Sequence, residues 1–237
     1  MATVRVAMLG AGFIAGFRAQ VYARIEGVRV VSVLGKDRPP TEAFAAEAGI
    51  GFVATTWEEL LAGPGFDAVD LCLPNDLHMA FALKAAAIGK HILCETPLGR
   101  NASEAARMLA AAEAAGIVHA YGENMIHAPD FREIVDIIRC GTLGRPLWLR
   151  GREAHFGPHS PWFWQRDVAG GGALIDMGCH LIGLFNLILG ALPEVVFAHT
   201  ATLHHETDCE DNVLALLRYP GGTVGQWVRT RSRGGAQ

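Results

Sequence analysis

Lysine is scarce in this chain: Lys36, Lys84 and Lys90 are the only ones among 237 residues. Lys and Arg together number 20 against 24 Asp and Glu, giving a formal charge of −4. No segment gathers cations with aromatics, so nucleic acid is not expected as a partner. Cys-x-x-Cys spacing is also missing. Cys72, Cys94, Cys140, Cys179 and Cys209 are odd in number and read as reduced thiols of a reducing compartment. The longest apolar stretch, Ala173 to Leu192, carries Asp176 and His180 at its centre, too polar for a membrane span. A secretory leader is not expected either. The apolar run after Arg5 is broken by Gly10, Gly12 and Gly16 and flows into an amphipathic segment with no clear cleavage site. The expected location is therefore cytoplasmic. There is no internal repeat or low-complexity linker, and 51% apolar residues leave ample material for a core.

What is present begins with Val4 to Leu9, an apolar run suited to a central parallel strand, followed by Gly10-Ala11-Gly12-Phe13-Ile14-Ala15. Gly10 allows a tight turn, Gly12 lets a pyrophosphate approach the backbone, and Ala15 lets helix pack on strand. Strands and helices then alternate. The predicted strands are Val28 to Leu34, Gly51 to Val53, Ala68 to Leu73, His91 to Cys94 and Ile117 to Tyr121, with a helix from Thr41 to Ala48 and helices capped at Thr56 and Asn101. Six strands of this kind make a doubly wound Rossmann domain over residues 1–122.

After Tyr121 the pattern changes. A helix is expected over Pro129 to Cys140, a strand over Pro146 to Ala154 and a long helix over Ala173 to Leu189. Further strands are expected over Glu194 to His204, Asn212 to Tyr219 and Thr223 to Arg231, the last two as a hairpin. These features predict a smaller α+β domain over residues 123–237, with a mainly antiparallel sheet that looks unfinished at its end. An uncovered strand edge predicts self-association, as a homo-oligomer through that sheet.

Ligands of open parallel sheets bind where the strands end. The cofactor candidates are accordingly Gly10, Gly12, Phe13 and Ile14 after the first strand, and Lys36 and Arg38 after the second. Leu73, Pro74, Asn75 and His78 follow the fourth, and Glu95 follows the fifth. Glycine at position 35 with Lys36 and Arg38 beside it suits a 2′-phosphate and favours NADP, with NAD the alternative that Asp37 keeps open. Asn75 or Asp76 can equally cap a helix, and His78 can face solvent or cofactor. In the second domain Asp176 and His180 lie four apart on one helix face. They can either satisfy each other or act as a histidine base oriented by a carboxylate. His155 and His159 are secondary candidates. His204, His205, Glu206, Asp208, Cys209 and Glu210 crowd one polar loop, where adjacent donors rarely converge on an ion; no metal is expected.

With these motifs placed, the chain resembles the Gfo/Idh/MocA family, named for glucose-fructose oxidoreductase, inositol dehydrogenase and a rhizopine-catabolism protein. The likeness rests on the glycine turn, Pro74-Asn75-Asp76-Leu77-His78, Cys94-Glu95-Thr96-Pro97-Leu98-Gly99, Gly122-Glu123-Asn124, and Gly170-Gly171-Gly172-Ala173-Leu174-Ile175-Asp176-Met177-Gly178-Cys179-His180 with the preceding Gly157-Pro158-His159-Ser160. It implies NAD(P)-dependent hydride transfer to or from a sugar, inositol or related polyol, with His180 as general acid/base, Asp176 orienting it, Thr96 as a catalytic residue beside the nicotinamide, and Glu95 and Asn124 binding the cofactor. Two alternatives are a cofactor-binding relative without turnover and a glycoside-cleaving relative that keeps NAD bound. The family usually has Glu-Lys-Pro where this chain has Glu95-Thr96-Pro97. Losing that lysine is expected to cost about two to three orders of magnitude in rate. Relatives also usually run on past this length, so a C-terminally truncated form with an incomplete substrate face is expected.

Overall fold

A computed structural model describes residues 3–154 and 160–230 of the chain. His155 and His159 therefore lie outside the described residues, as do the residues between them and residues 231–237. The chain divides into two compact units, with the division between Gly122 and Glu123.

The first unit is a six-stranded parallel sheet in the order β3-β2-β1-β4-β5-β6. Its strands are β1 (Val4–Leu9), β2 (Val28–Leu34), β3 (Val53–Ala54), β4 (Ala68–Leu71), β5 (His91–Cys94) and β6 (His119–Tyr121). The helices between them are α1 (Phe13–Tyr22), α2 (Arg38–Ala48), α3 (Trp57–Ala62), α4 (Asn75–Ala87) and α5 (Ala102–Ala115). The order reverses beside β1, which is the switch point where such sheets open a crevice. Ala7, Met8 and Leu9 have no exposed surface, as a strand covered on both faces requires.

Local chemistry sets several boundaries. Helix α2 starts at Arg38 and not at Thr41, because Pro39 and Pro40 fall in its first turn, where a missing N–H costs no hydrogen bond. The Thr56 and Asn101 hydroxyl and amide oxygens accept from Glu59 N and Glu104 N, capping α3 and α5 as expected. Strand β3 is displaced to Val53–Ala54, while β4 and β6 are shorter than the apolar runs that announce them.

The second unit is built on a four-stranded sheet in the order β7-β10-β9-β8: β7 (Trp148–Ala154), β8 (Val195–Ala201), β9 (Asn212–Arg218) and β10 (Val224–Thr230). The β9/β10 hairpin and the β8/β9 pair are antiparallel, but β10 runs parallel to β7. The sheet is therefore mixed. Helices α6 (Pro129–Arg139), the short α7 (Arg166–Ala169) and α8 (Ala173–Leu189) complete the unit. By length and composition Arg166–Leu189 is apolar enough to cross a membrane, with a mean hydropathy of 1.7. In the fold, however, α8 packs Leu181, Leu184, Phe185 and Ile188 into one cluster with Val213, Ala215, Leu217 and Trp227 of the sheet. At the N-terminus of α8 the Glu210 carboxylate accepts hydrogen bonds from Gly172 N and Leu174 N at 2.9 and 3.0 Å.

Candidate active site

Each unit carries its own set of candidate residues. In the first unit the turn after β1 is shaped by Gly10, which adopts φ +110°; a Cβ there would come within 2.1 Å of the Cys72 carbonyl oxygen. Gly12, the N-cap of α1, has nothing within 4 Å of where its Cβ would stand. The N-cap glycine supplies no side-chain cap, and the first turn of α1 holds no acid. An open backbone at Gly12 and a first turn without a carboxylate fit a pyrophosphate. Phe13 is exposed and Ile14 half-buried beside it.

After β2, Lys36 and Arg38 are both exposed, as a phosphate-binding pair should be. Arg38 nevertheless has a partner: its Nη2 donates to Glu59 Oε2 at 2.8 Å. After β4, Pro74 is the N-cap of α4 and Asn75 is buried. His78 does not face solvent, a correction to that alternative. It is fully buried, with Nε2 2.9 Å from the Leu73 carbonyl and Nδ1 2.9 Å from the Pro97 carbonyl. Burial holds its pKa below the ordinary imidazole value against the pull of those carbonyls. His78 thus ties together the turns that follow β4 and β5. In the second of these the Thr96 hydroxyl donates to Glu95 Oε1 at 3.3 Å.

In the second unit, α8 presents His180, which is buried. Its Nδ1 lies 2.5 Å from Glu123 Oε1, and Glu123 is only 3% exposed. Glu123 is itself fixed by the main chain, accepting from Met125 N at 2.8 Å and Ile126 N at 3.0 Å. The carboxylate that orients His180 is accordingly Glu123 and not Asp176. Asp176 stands one turn earlier on α8 and contributes charge. Burial opposes the imidazolium, but the Glu123 hydrogen bond and charge, with Glu153 and Asp176, outweigh it and raise the His180 pKa above the ordinary value. Burial likewise opposes the Glu123 carboxylate, and the His180 contact with the two main-chain donors overcomes it, lowering that pKa. With Nδ1–H donated to Glu123, the ring's lone pair sits on Nε2, the tautomer a proton acceptor needs. Asn124 is exposed and belongs to this second unit.

The polar loop before β9 is organised by Asp211. This buried carboxylate accepts from the main-chain N–H groups of Leu203, His204 and His205 at 2.8 to 2.9 Å. Among the described residues no group of three or more His, Cys, Asp or Glu side chains is placed to hold a metal.

Residues 4–123 match the model of the oxidoreductase family with an NAD-binding Rossmann fold, and residues 131–237 match the GFO/IDH/MocA C-terminal domain. The 1,5-anhydro-D-fructose reductase of Ensifer adhaerens is 34% identical over 227 residues, covering 94% of this chain and 68% of the reductase. The levoglucosan dehydrogenase of Pseudarthrobacter phenanthrenivorans is 28% identical over 99% of this chain and 69% of its own length. Among solved structures, GenD2 from gentamicin A biosynthesis, in complex with NAD, superposes with a TM-score of 0.94 at 30% identity, covering all of this chain and 68% of GenD2. Levoglucosan dehydrogenase in complex with NADH and levoglucosan gives a TM-score of 0.90 at 28% identity, covering 98% of this chain and 68% of that one. The chain thus spans about two thirds of the length of these relatives.

Proposed function

We propose, from the premise that this chain belongs to the GFO/IDH/MocA oxidoreductase family, that it interconverts a hydroxyl and a carbonyl on a sugar or related polyol, using NADP in preference to NAD. The observation that carries this reading is the His180–Glu123 pair, a buried imidazole with Nδ1 fixed by a buried carboxylate. The nicotinamide, when bound, supplies the hydride-transfer chemistry. The remaining work belongs to the chain's own residues. In oxidation His180 Nε2 takes the hydroxyl proton as the carbon gives up its hydride, and Glu123 stabilises the imidazolium that results. In reduction the imidazolium returns that proton to the carbonyl oxygen. Asp176 strengthens the same field from one turn away.

Gly10, Gly12, Phe13 and Ile14 would hold the pyrophosphate side of the cofactor. Lys36 and Arg38 would hold the 2′-phosphate, and Leu73, Pro74, Glu95 and Thr96 would line the nicotinamide end. The Arg38–Glu59 pair is exposed, so solvent and salt screen it and a phosphate can compete for the guanidinium. The relatives' names support a sugar-type substrate: one reduces 1,5-anhydro-D-fructose and another oxidises levoglucosan. Homo-oligomer formation through the second-unit sheet is supported by its exposed apolar side chains, Val195, Phe197, Leu214 and Leu216.

The test pairs binding with turnover. NADPH and NADH are titrated against the purified chain by energy transfer from its five tryptophans, and a sugar and polyol panel is then screened. The expected result is NADPH-selective binding, with turnover that His180→Ala abolishes while binding persists. Unchanged turnover in His180→Ala, on a confirmed substrate, would sink the acid/base assignment.

A further inference from the structure

Arg18, in the second turn of α1, joins two carboxylates that the sequence separates widely. Its Nη1 donates to Asp70 Oδ1 on β4, and its Nη2 donates to Glu95 Oε2 just after β5. The other Asp70 oxygen accepts from the Tyr22 hydroxyl at 3.0 Å, and the Cys72 thiol lies 3.6 Å from Oδ1. Every one of these neighbours is a donor and favours the carboxylate, while burial pulls the other way and pushes the Asp70 pKa above its ordinary value. A Cβ at Gly122 would stand 2.3 Å from Arg18 Nη2, so glycine there leaves room for the guanidinium.

The charges in this triad do not balance. With Asp70 and Glu95 both ionised, two carboxylates share one guanidinium, which leaves one negative charge over. Asp70 has no exposed side-chain surface, whereas Glu95 keeps 18%. Glu95 is therefore the member open to a ligand. Among the described residues its other oxygen accepts the neutral Thr96 hydroxyl. The cations nearest to it in sequence are engaged elsewhere: Lys84 lies over Trp57 and Phe81, Lys90 over Phe66, and Arg100 pairs with Glu104.

We infer that Glu95, held in place by Arg18, makes the first unit select the oxidised, cationic form of the nicotinamide cofactor over the reduced, neutral form. This rests on the proposed reading that the nicotinamide end of the cofactor meets the turn after β5. The two redox forms differ by one positive charge on the ring. A partly desolvated carboxylate with no nearby cation of its own except a shared one discriminates between them electrostatically. Arg18 is a positioning residue: its planar fork holds Asp70 and Glu95 at once, which a lysine's point charge does less well. The consequence is a bound cofactor with a lower reduction potential than the free one, so that on the protein hydride donation to a carbonyl is favoured over hydride removal from a hydroxyl.

The experiment is calorimetric titration of the full chain with NADP⁺ and with NADPH, for the wild type, Glu95→Gln, Thr96→Lys and Arg18→Lys. Glu95→Gln removes the charge and is expected to weaken NADP⁺ about five- to ten-fold while moving NADPH less than about two-fold. Thr96→Lys sets a cation beside Glu95 and is expected to shift the ratio of the two affinities in the same direction. Arg18→Lys is expected to lose part of the wild-type ratio; an unchanged ratio there overturns the positioning role. If the wild type binds both forms and neither Glu95→Gln nor Thr96→Lys moves the ratio, the inference fails and the cofactor reading stands. Wild-type protein that binds neither form overturns the cofactor reading and this inference with it.

Discussion

Glu123 and His180 stand fifty-seven residues apart in the sequence and 2.5 Å apart in the fold, each holding the other in its charged form. A raised imidazole pKa means that neutral His180, the form able to accept a hydroxyl proton, accumulates only at higher pH. Oxidation should therefore rise with pH through a value above the ordinary 6.5.

Replacing Glu123 by Gln removes the charge that sustains the imidazolium. Burial then dominates and the His180 pKa falls, so the rising limb of the oxidation profile moves to lower pH, with a lower plateau because the ring is less firmly oriented. Asp176→Asn should move the limb the same way but less. Initial rates of oxidation measured from pH 5 to 10 check both, and a profile indifferent to Glu123→Gln would remove that residue from the mechanism.

The two glycines of the first turn should fail differently. Gly10→Ala forces a Cβ against the Cys72 carbonyl at a φ of +110°, and should lower stability by about 2–4 kcal/mol. Gly12→Ala meets open space, so the fold should keep its melting temperature while cofactor affinity drops through the lost approach to the backbone. Thermal melts beside cofactor titrations separate the two outcomes.

Cofactor selectivity should respond to the residue that competes for Arg38. Glu59→Gln weakens that competition and is expected to tighten NADPH binding with little change for NADH. Lys36→Ala should weaken NADPH alone. Both effects should shrink as salt is raised, because Lys36 is exposed and the Arg38 and Glu59 side chains keep 45% and 44% of their surface. Equal effects on the two cofactors would count against a 2′-phosphate site here.

Phe197 is 61% exposed on β8, and opposite it in register stands Leu216 of β9, 37% exposed. On the proposed association through this sheet, Phe197→Asp should lower the sedimenting mass relative to the wild type without altering secondary structure. Sedimentation of both forms across a concentration series decides this.

Much of the architecture was legible because local rules and tertiary packing agree. Helix α8 spans Ala173–Leu189 as its pattern predicts, bounded by Gly172 at one end and a left-handed Gly190 at the other. Strand β8 stops at Ala201, short of the expected His204, because the N–H groups of Leu203, His204 and His205 turn to the Asp211 carboxylate and leave the ladder. At the site, His180 could be picked out from its helix, but its partner could not. Spacing along α8 pointed to Asp176, whereas Glu123 reaches His180 only through the fold. A signal for the Arg18 triad was present in the sequence: Asp70 is a lone acid inside Ala-Val-Asp-Leu, and a carboxylate in a strand buried on both faces requires a cation.

One further consequence comes from Glu210. By accepting the N–H groups of Gly172 and Leu174, it already neutralises the positive end of α8, the helix that carries His180. The amino end of α8 therefore already has its answering negative charge from within the same unit, and an anion approaching it would meet a carboxylate.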